Sequence, residues 1–122
     1  MAHKIMVVDD DAHVIESLGT ILGSAGYEVI AMQDEVAALA KAQTELPSLI
    51  ILDLMMPRVS GLELCKALKD DVATQYIPII MLTGKTHEGD KIVGLETGAD
   101  DYITKPFNPQ ELLLRIDRSL GN

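Results

Sequence analysis

The stretch Ile5-Met6-Val7-Val8-Asp9-Asp10-Asp11 joins an apolar run to three acids, and Leu49-Ile50-Ile51-Leu52 is likewise followed by Asp53. Short apolar runs of this length predict buried strands. In an open α/β sheet, ligands bind beyond the carboxyl ends of parallel strands. If the two runs are neighbouring parallel strands, their carboxylates meet, and two charges about 5 Å apart repel by about 3 kcal/mol at an effective dielectric of about 20. Such a cluster requires a cation, so these acids are a candidate site.

Short strands alternate with longer helical segments along the whole chain, which predicts a parallel sheet covered on both faces. Five strands are expected, near residues 4–8, 28–32, 49–53, 79–82 and 102–104. Five helices are expected, near residues 12–25, 36–45, 61–70, 88–97 and 109–120. No linker or internal repeat interrupts the pattern, and we therefore expect one α/β domain over residues 1–122.

Composition narrows the classes of function. The net charge of −9 argues against direct binding to nucleic acid or to an anionic membrane, because phosphates would be repelled. The single cysteine, Cys65, cannot form an internal disulfide and falls on the apolar face of its helix. No signal peptide and no apolar stretch of about 20 residues is present. The expected location is the cytoplasm.

Local signals give further expectations for the helices. Asp11 is expected to be an N-cap, and Ala25 is expected on the inward face of the first helix. The stretch Lys69-Asp70-Asp71 is expected to be a solvated helix end.

Four of the five predicted strands end in chemically useful side chains: Asp9 and Asp10, Asp53, Thr83, and Lys105. Carboxylate oxygens suit a hard cation such as Mg²⁺. A lysine and a threonine can contact phosphoryl oxygens, and an aspartate can act as a nucleophile. Together these groups match the needs of phosphoryl transfer. Taken one at a time they have plainer explanations: acids decorate a helix N-terminus, Thr83 caps a helix, and Lys105 begins a turn.

Four motifs together resemble the receiver domain of bacterial two-component response regulators. They are Val7-Val8-Asp9-Asp10-Asp11; Leu52-Asp53-Leu54-Met55-Met56-Pro57 with Gly61; Leu82-Thr83-Gly84; and Gly98-Ala99-Asp100-Asp101-Tyr102-Ile103-Thr104-Lys105-Pro106-Phe107. The resemblance implies a doubly wound, flavodoxin-like (βα)5 fold with a five-stranded parallel sheet in the order 2-1-3-4-5.

The resemblance also implies a magnesium site and a phosphoacceptor. Asp53 would accept phosphate from a sensor histidine kinase or a phosphotransfer protein. Asp10, Asp53 and the backbone carbonyl of Met55 would bind Mg²⁺, and Asp9 would act through a water molecule.

By the same resemblance, Lys105 and Thr83 would contact the phosphoryl group, and the Lys105–Pro106 peptide would be cis. Tyr102 would change rotamer when Thr83 moves. The chain would then be a signalling switch, not an enzyme beyond its own phosphorylation and a slow dephosphorylation. The slow rate is expected because Met55 and Lys85 replace side chains that could position a water.

The switching face would consist of the predicted fourth helix, the fifth strand and the last helix. It would bind a downstream effector protein and, as in winged-helix regulators, a second copy of the chain. Lys91 with Glu111, and Asp101 with Arg115, could pair across a two-fold axis.

Two alternative functions would use similar residues. A Mg²⁺-dependent phosphatase of the haloacid-dehalogenase type needs a second aspartate two residues after the nucleophile, where this chain has Met55. A flavin or nucleotide carrier would need a glycine-rich phosphate loop, which the sequence lacks.

Overall fold

The computed structural model describes residues 3–54, 56, 59–84 and 98–121. It contains one parallel sheet in the order β2-β1-β3-β4-β5. The strands are β1 Lys4–Val8, β2 Glu28–Met32, β3 Leu49–Asp53, β4 Ile79–Gly84 and β5 Asp101–Lys105. The predicted α/β class and strand order are therefore confirmed.

Helices cover both faces of the sheet. The described residues contain α1 Ala12–Ser24, α2 Ala38–Glu45, α3 Gly61–Asp70 and α4 Pro109–Ser119. Side chains of α2 and α3 belong to a first buried apolar cluster, and side chains of α1 and α4 belong to a second. The helix expected near residues 88–97 lies outside the described residues. No helix within the described ranges has the length and apolar character needed to cross a bilayer.

The central strands are buried on both faces, which explains their continuous apolar runs. In β1, Met6 and Val8 contribute to the first cluster, whereas Ile5 and Val7 contribute to the second. A shift of one residue in register would exchange these two sets. The register of β1 and β3 is therefore strongly specified, and with it the position of every residue that follows them.

The strands end together at one edge of the sheet. Val8 pairs with Leu52, Asp53 pairs with Leu82, and Gly84 pairs with Lys105. Beyond the last paired residue of β3, the Leu54 N–H donates to the Leu82 carbonyl at 2.9 Å. The polar residues that follow the apolar runs are consequently brought to the same edge.

Two local expectations about helix ends need correction. The second helix begins at Ala38, not near residue 36, because Asp34 accepts the Val36 N–H at 3.0 Å and holds a turn there. Ala25 is exposed, not inward-facing, because α1 ends at Ser24 and Gly26 turns the chain away with a φ of 91°. Asp11 is the N-cap of α1 as expected, accepting the His13 N–H.

The expectation of a solvated end for α3 is wrong for Lys69. Its side chain is only 18% exposed, and its ammonium donates to the Ile77 carbonyl at 2.8 Å and to Asp100 at 3.1 Å. Asp100 also accepts the Ile79 N–H at 2.8 Å, at the first residue of β4. Lys69 thus ties the end of α3 to the starts of β4 and β5.

We expect Lys69→Met to lower the free energy of unfolding by about 1–3 kcal/mol, because the hydrogen bonds of a mostly covered ammonium are lost and a backbone carbonyl loses its donor. Lys66→Met is the matched control on the same helix: Lys66 is 68% exposed and pairs with Asp70, four residues along the helix. Its loss should stay below about 0.5 kcal/mol. Urea unfolding of the two variants measures the difference, and equal losses would contradict a bridging role for Lys69.

Candidate functional site

Carboxylates and one ammonium group meet at the carboxyl edge of the sheet. The nearest oxygens of Asp9, Asp10 and Asp53 all lie within 4.8 Å of one another. The Lys105 ammonium lies 3.2 Å from Asp9 Oδ2 and 3.2 Å from Asp53 Oδ1. The convergence expected from the sequence is present in the structure, whereas the chemical role of each residue stays a prediction.

Asp9 is the most buried acid of the cluster, with no exposed side-chain surface. Its Oδ1 accepts the Asp11 N–H at 2.9 Å, and its Oδ2 accepts from the Lys105 ammonium. Its backbone N–H donates to the Met32 carbonyl at 3.1 Å, beyond the paired residues of β1 and β2. Asp9 is therefore held rigidly, with both carboxylate oxygens engaged within the protein.

Burial raises the pKa of Asp9 above its ordinary value of 3.8, and the negative charge of Asp53 raises it further. The Asp11 N–H and the Lys105 ammonium act in the opposite direction without cancelling the rise. For Lys105, burial by itself lowers the pKa, but the two carboxylates outweigh burial and leave the pKa raised. Among the described residues the cluster thus has more negative than positive charge, and the Lys105 ammonium stays protonated.

The donor set of the cluster fits a hard divalent cation. It consists of carboxylate oxygens; Asp10 is exposed, whereas Asp9 and Asp53 are buried. Mg²⁺ binds through one or two carboxylates and keeps several waters. The assignment of Asp10 and Asp53 as direct ligands, with Asp9 acting through a water molecule, stays a prediction. Met55, whose carbonyl the resemblance implies as a ligand, lies outside the described residues.

Two further predicted residues lie on the neighbouring strands β4 and β5. Thr83, near the end of β4, is buried, and its hydroxyl has no hydrogen-bond partner among the described residues. A buried hydroxyl without a partner is costly unless another group can bind it. Tyr102 in β5 is half-buried and packs against the first apolar cluster. The Lys105–Pro106 peptide is cis, as the resemblance implies.

The residues predicted for a dimer face are partly engaged within the chain. Arg115 donates to Asp101 at 2.6 Å and to Glu111 at 3.1 Å. Lys91 lies outside the described residues. Pairing between two copies stays a prediction.

One residue of the quoted motifs has a structural role that was not predicted from the sequence. Gly61, the first residue of α3, lies directly against the backbone of Asp53. The sequence marked Gly61 as part of a motif at the start of a predicted helix, but no spacing rule reports a contact between a helix start and a strand end.

We expect Asp9→Asn to stabilise the metal-free protein at pH 7 by about 0.5–2 kcal/mol, the usual range for a single stabilising substitution, because it removes a buried charge that is repelled by Asp53. Because its pKa is raised in the folded state, the folded protein binds this proton more tightly than the unfolded chain. The stability that Asp9 contributes is therefore present below about pH 3.8 and is lost as the pH rises through the raised pKa.

Urea unfolding of wild type and Asp9→Asn in EDTA, between pH 3 and pH 7, tests this expectation. The advantage of the variant should grow with rising pH. Asp11→Asn is the control, because asparagine also caps helices and Asp11 is exposed. An advantage of Asp9→Asn that is independent of pH would contradict the assignment.

Comparison with known proteins agrees with this geometry. The alkaline phosphatase synthesis transcriptional regulatory protein PhoP of Bacillus subtilis is 48% identical over 116 residues, which cover 95% of this chain and 48% of PhoP. The phosphate regulon transcriptional regulatory protein PhoB of Pseudomonas aeruginosa is 50% identical over 112 residues, which cover 92% of this chain and 49% of PhoB. The chain thus spans about half the length of these curated relatives.

Solved structures give the same result. Chemotaxis protein CheY4 of Vibrio cholerae matches with a TM-score of 0.91 and 37% identity, covering 98% of this chain and 99% of that one. The receiver domain of sensor histidine kinase PA1611 from Pseudomonas aeruginosa matches with a TM-score of 0.91 and 27% identity over 100% of both chains. That structure has a magnesium ion coordinated in its active-site cleft.

The family model for the response regulator receiver domain matches residues 5–117. None of these relatives supports the alternative of a haloacid-dehalogenase-type phosphatase. The chain therefore belongs to the response regulator receiver domains, the phosphorylatable signalling switches of two-component systems.

Proposed function

We propose that Asp53 is the phosphoacceptor of this receiver domain and that its phosphorylation depends on Mg²⁺. The observation that carries the proposal is the position of the Asp53 carboxylate, at the end of β3, 3.2 Å from the Lys105 ammonium and within 4.8 Å of the other two acids. Phosphoryl transfer depends on positioning and on charge neutralisation, and this arrangement supplies both.

Each side chain of the site has a separate role in the reaction. An oxygen of Asp53 forms a bond to phosphorus while the bond from phosphorus to the donor breaks, which leaves an acyl phosphate on Asp53. Lys105 then binds a phosphoryl oxygen, and the Thr83 hydroxyl supplies a second donor that is already buried at the adjacent strand end. Mg²⁺, held by Asp10, Asp53 and the Met55 carbonyl with Asp9 behind a water, would neutralise the remaining negative charge.

Phosphorylation would change the conformation of the domain by attracting nearby side chains to the phosphoryl group. The phosphoryl group adds negative charge and acceptor oxygens at Asp53. Thr83 and Lys105 are drawn towards it, and Tyr102, which lies on the strand next to that of Thr83, changes its rotamer. The active conformation is a minor state that phosphorylation stabilises.

The partners follow from the family. A sensor histidine kinase or phosphotransfer protein donates the phosphoryl group in the cytoplasm, and a downstream effector protein binds the switched face. The net charge of −9 disfavours direct binding to nucleic acid or to an anionic membrane. Its catalytic power is confined to its own phosphorylation and a slow dephosphorylation.

We expect wild type to gain one phosphoryl mass on incubation with acetyl phosphate and Mg²⁺, and Asp53→Asn to gain none, because the amide cannot form an acyl phosphate. Intact mass spectrometry measures both. EDTA should abolish labelling of wild type, since the repulsion of the carboxylates is then no longer neutralised.

Asp11→Asn is the matched control for this experiment. Asp11 is a neighbouring acid of the same run, but it caps α1 and is exposed. It should be labelled at the rate of wild type. Equal labelling of wild type and Asp53→Asn would refute the assignment of Asp53.

We also propose that the phosphorylated domain forms a homodimer in which Arg115 exchanges its partner Asp101 for the same residue of a second copy. A contact across a two-fold axis is made twice. At about 1 kcal/mol or less for each exposed pair, two pairs give at most about 30-fold in affinity. Reversal of one charge should therefore weaken the phosphorylated dimer by about tenfold or more.

Mixing two single variants separates pairing between chains from pairing within a chain. Asp101→Arg and Arg115→Asp each destroy both kinds of pair in a pure sample. An equimolar mixture restores only the pairs between chains, so it should dimerise on phosphorylation in sedimentation equilibrium. A mixture that stays monomeric while wild type dimerises would refute the exchange.

A further inference from the structure

The start of α3 closes onto the backbone that follows Asp53. The Gly61 N–H donates to the Leu54 carbonyl at 3.0 Å, while the Leu54 N–H donates to the Leu82 carbonyl of β4 at 2.9 Å. Leu54, the residue after Asp53, is therefore held through its N–H by β4 and through its carbonyl by the first residue of α3.

The contact leaves no space for a side chain at Gly61. A Cβ built there would collide with the Asp53 carbonyl oxygen and would lie 2.8 Å from Leu54 Cα and 3.0 Å from the Asp53 carbonyl carbon. All three are backbone atoms, which cannot turn aside as the end of a flexible side chain can. By contrast, nothing lies within 4 Å of the position that a Cβ would take at Gly19 or Gly23 in α1.

Neither side of this contact can withdraw easily. Helix α3 is anchored by Leu64, Cys65 and Leu68, all of them buried in the first apolar cluster. Strand β3 is fixed between β1 and β4. A methyl group at Gly61 must therefore displace the Asp53–Leu54 peptide, the helix start, or both.

We propose that Gly61 is a positioning residue for phosphorylation. Because it has no side chain, α3 can close on the Asp53–Leu54 peptide and hold the Asp53 carboxylate in place beside Asp10 and Lys105. The inference rests on the proposed role of Asp53 as phosphoacceptor. Displacements of about 1 Å in a reacting group cost about 100-fold in rate, so a contact of this kind is sufficient to control the reaction.

The test compares Gly61→Ala with two controls. Gly19→Ala makes the same chemical change in the open interior of a helix. Leu68→Ala destabilises the same helix from its far end, away from Asp53, by removing a fully buried side chain. The labelling rate with acetyl phosphate and Mg²⁺ is measured per folded molecule, and Mg²⁺ affinity is measured separately by amide NMR titration without phosphodonor.

We expect Gly61→Ala to be labelled at least tenfold more slowly than wild type and to bind Mg²⁺ more weakly. Gly19→Ala should match wild type in both measurements. Leu68→Ala should lose stability yet keep the labelling rate of its folded fraction. Labelling of Gly61→Ala within twofold of wild type, or an equal loss in Leu68→Ala, would overturn the proposal.

The experiment distinguishes failure of the proposed function from failure of the inference about Gly61. Wild type that is not labelled on Asp53 overturns the proposed function and this inference together. Labelled wild type with equally labelled Gly61→Ala overturns the inference alone. To guard against simple unfolding, Gly61→Ala is also made together with Gly19→Ala and Gly23→Ala, which stabilise a helix by reducing the freedom of the unfolded chain.

Discussion

Mutual repulsion among the carboxylates of Asp9, Asp10 and Asp53 is the constraint on which the rest of the structure depends. One ammonium, that of Lys105, lies among the three acids and reaches two of them. Side chains of like charge stay close together only if the backbone segments that carry them cannot move apart. The site therefore requires a scaffold whose strand ends are fixed, and a partner cation that completes the neutralisation.

The scaffold meets this requirement through burial on both faces of the sheet. Alternate residues of β1 and β3 enter opposite apolar clusters, and a slip by one residue would be penalised in both clusters at once. The apolar clusters offset the electrostatic cost at the edge. The unfavourable repulsion is thereby confined to the carboxyl edge of the sheet, where binding of a cation can relieve it. This is a common arrangement in functional sites.

Much of this could be read from the sequence because the signals are local. The apolar runs that end in Asp9 and Asp53 fix two strands and their acidic ends, and the strand periodicity fixes the class of fold. The role of Lys69 could not be read in this way, because its partners Ile77 and Asp100 are 8 and 31 residues distant. The contact of Gly61 with Asp53 was equally hidden, since it depends on how a helix is placed over a strand end.

The contact between Lys105 and Asp9 joins residues 96 positions apart in the chain. Closing so long a loop costs conformational entropy, and the contact is made only when the first and last strands are in the same sheet. A partly folded or truncated chain would therefore lack this arrangement of charges. Any activity that depends on the contact is available only once the first and last strands have joined the same sheet.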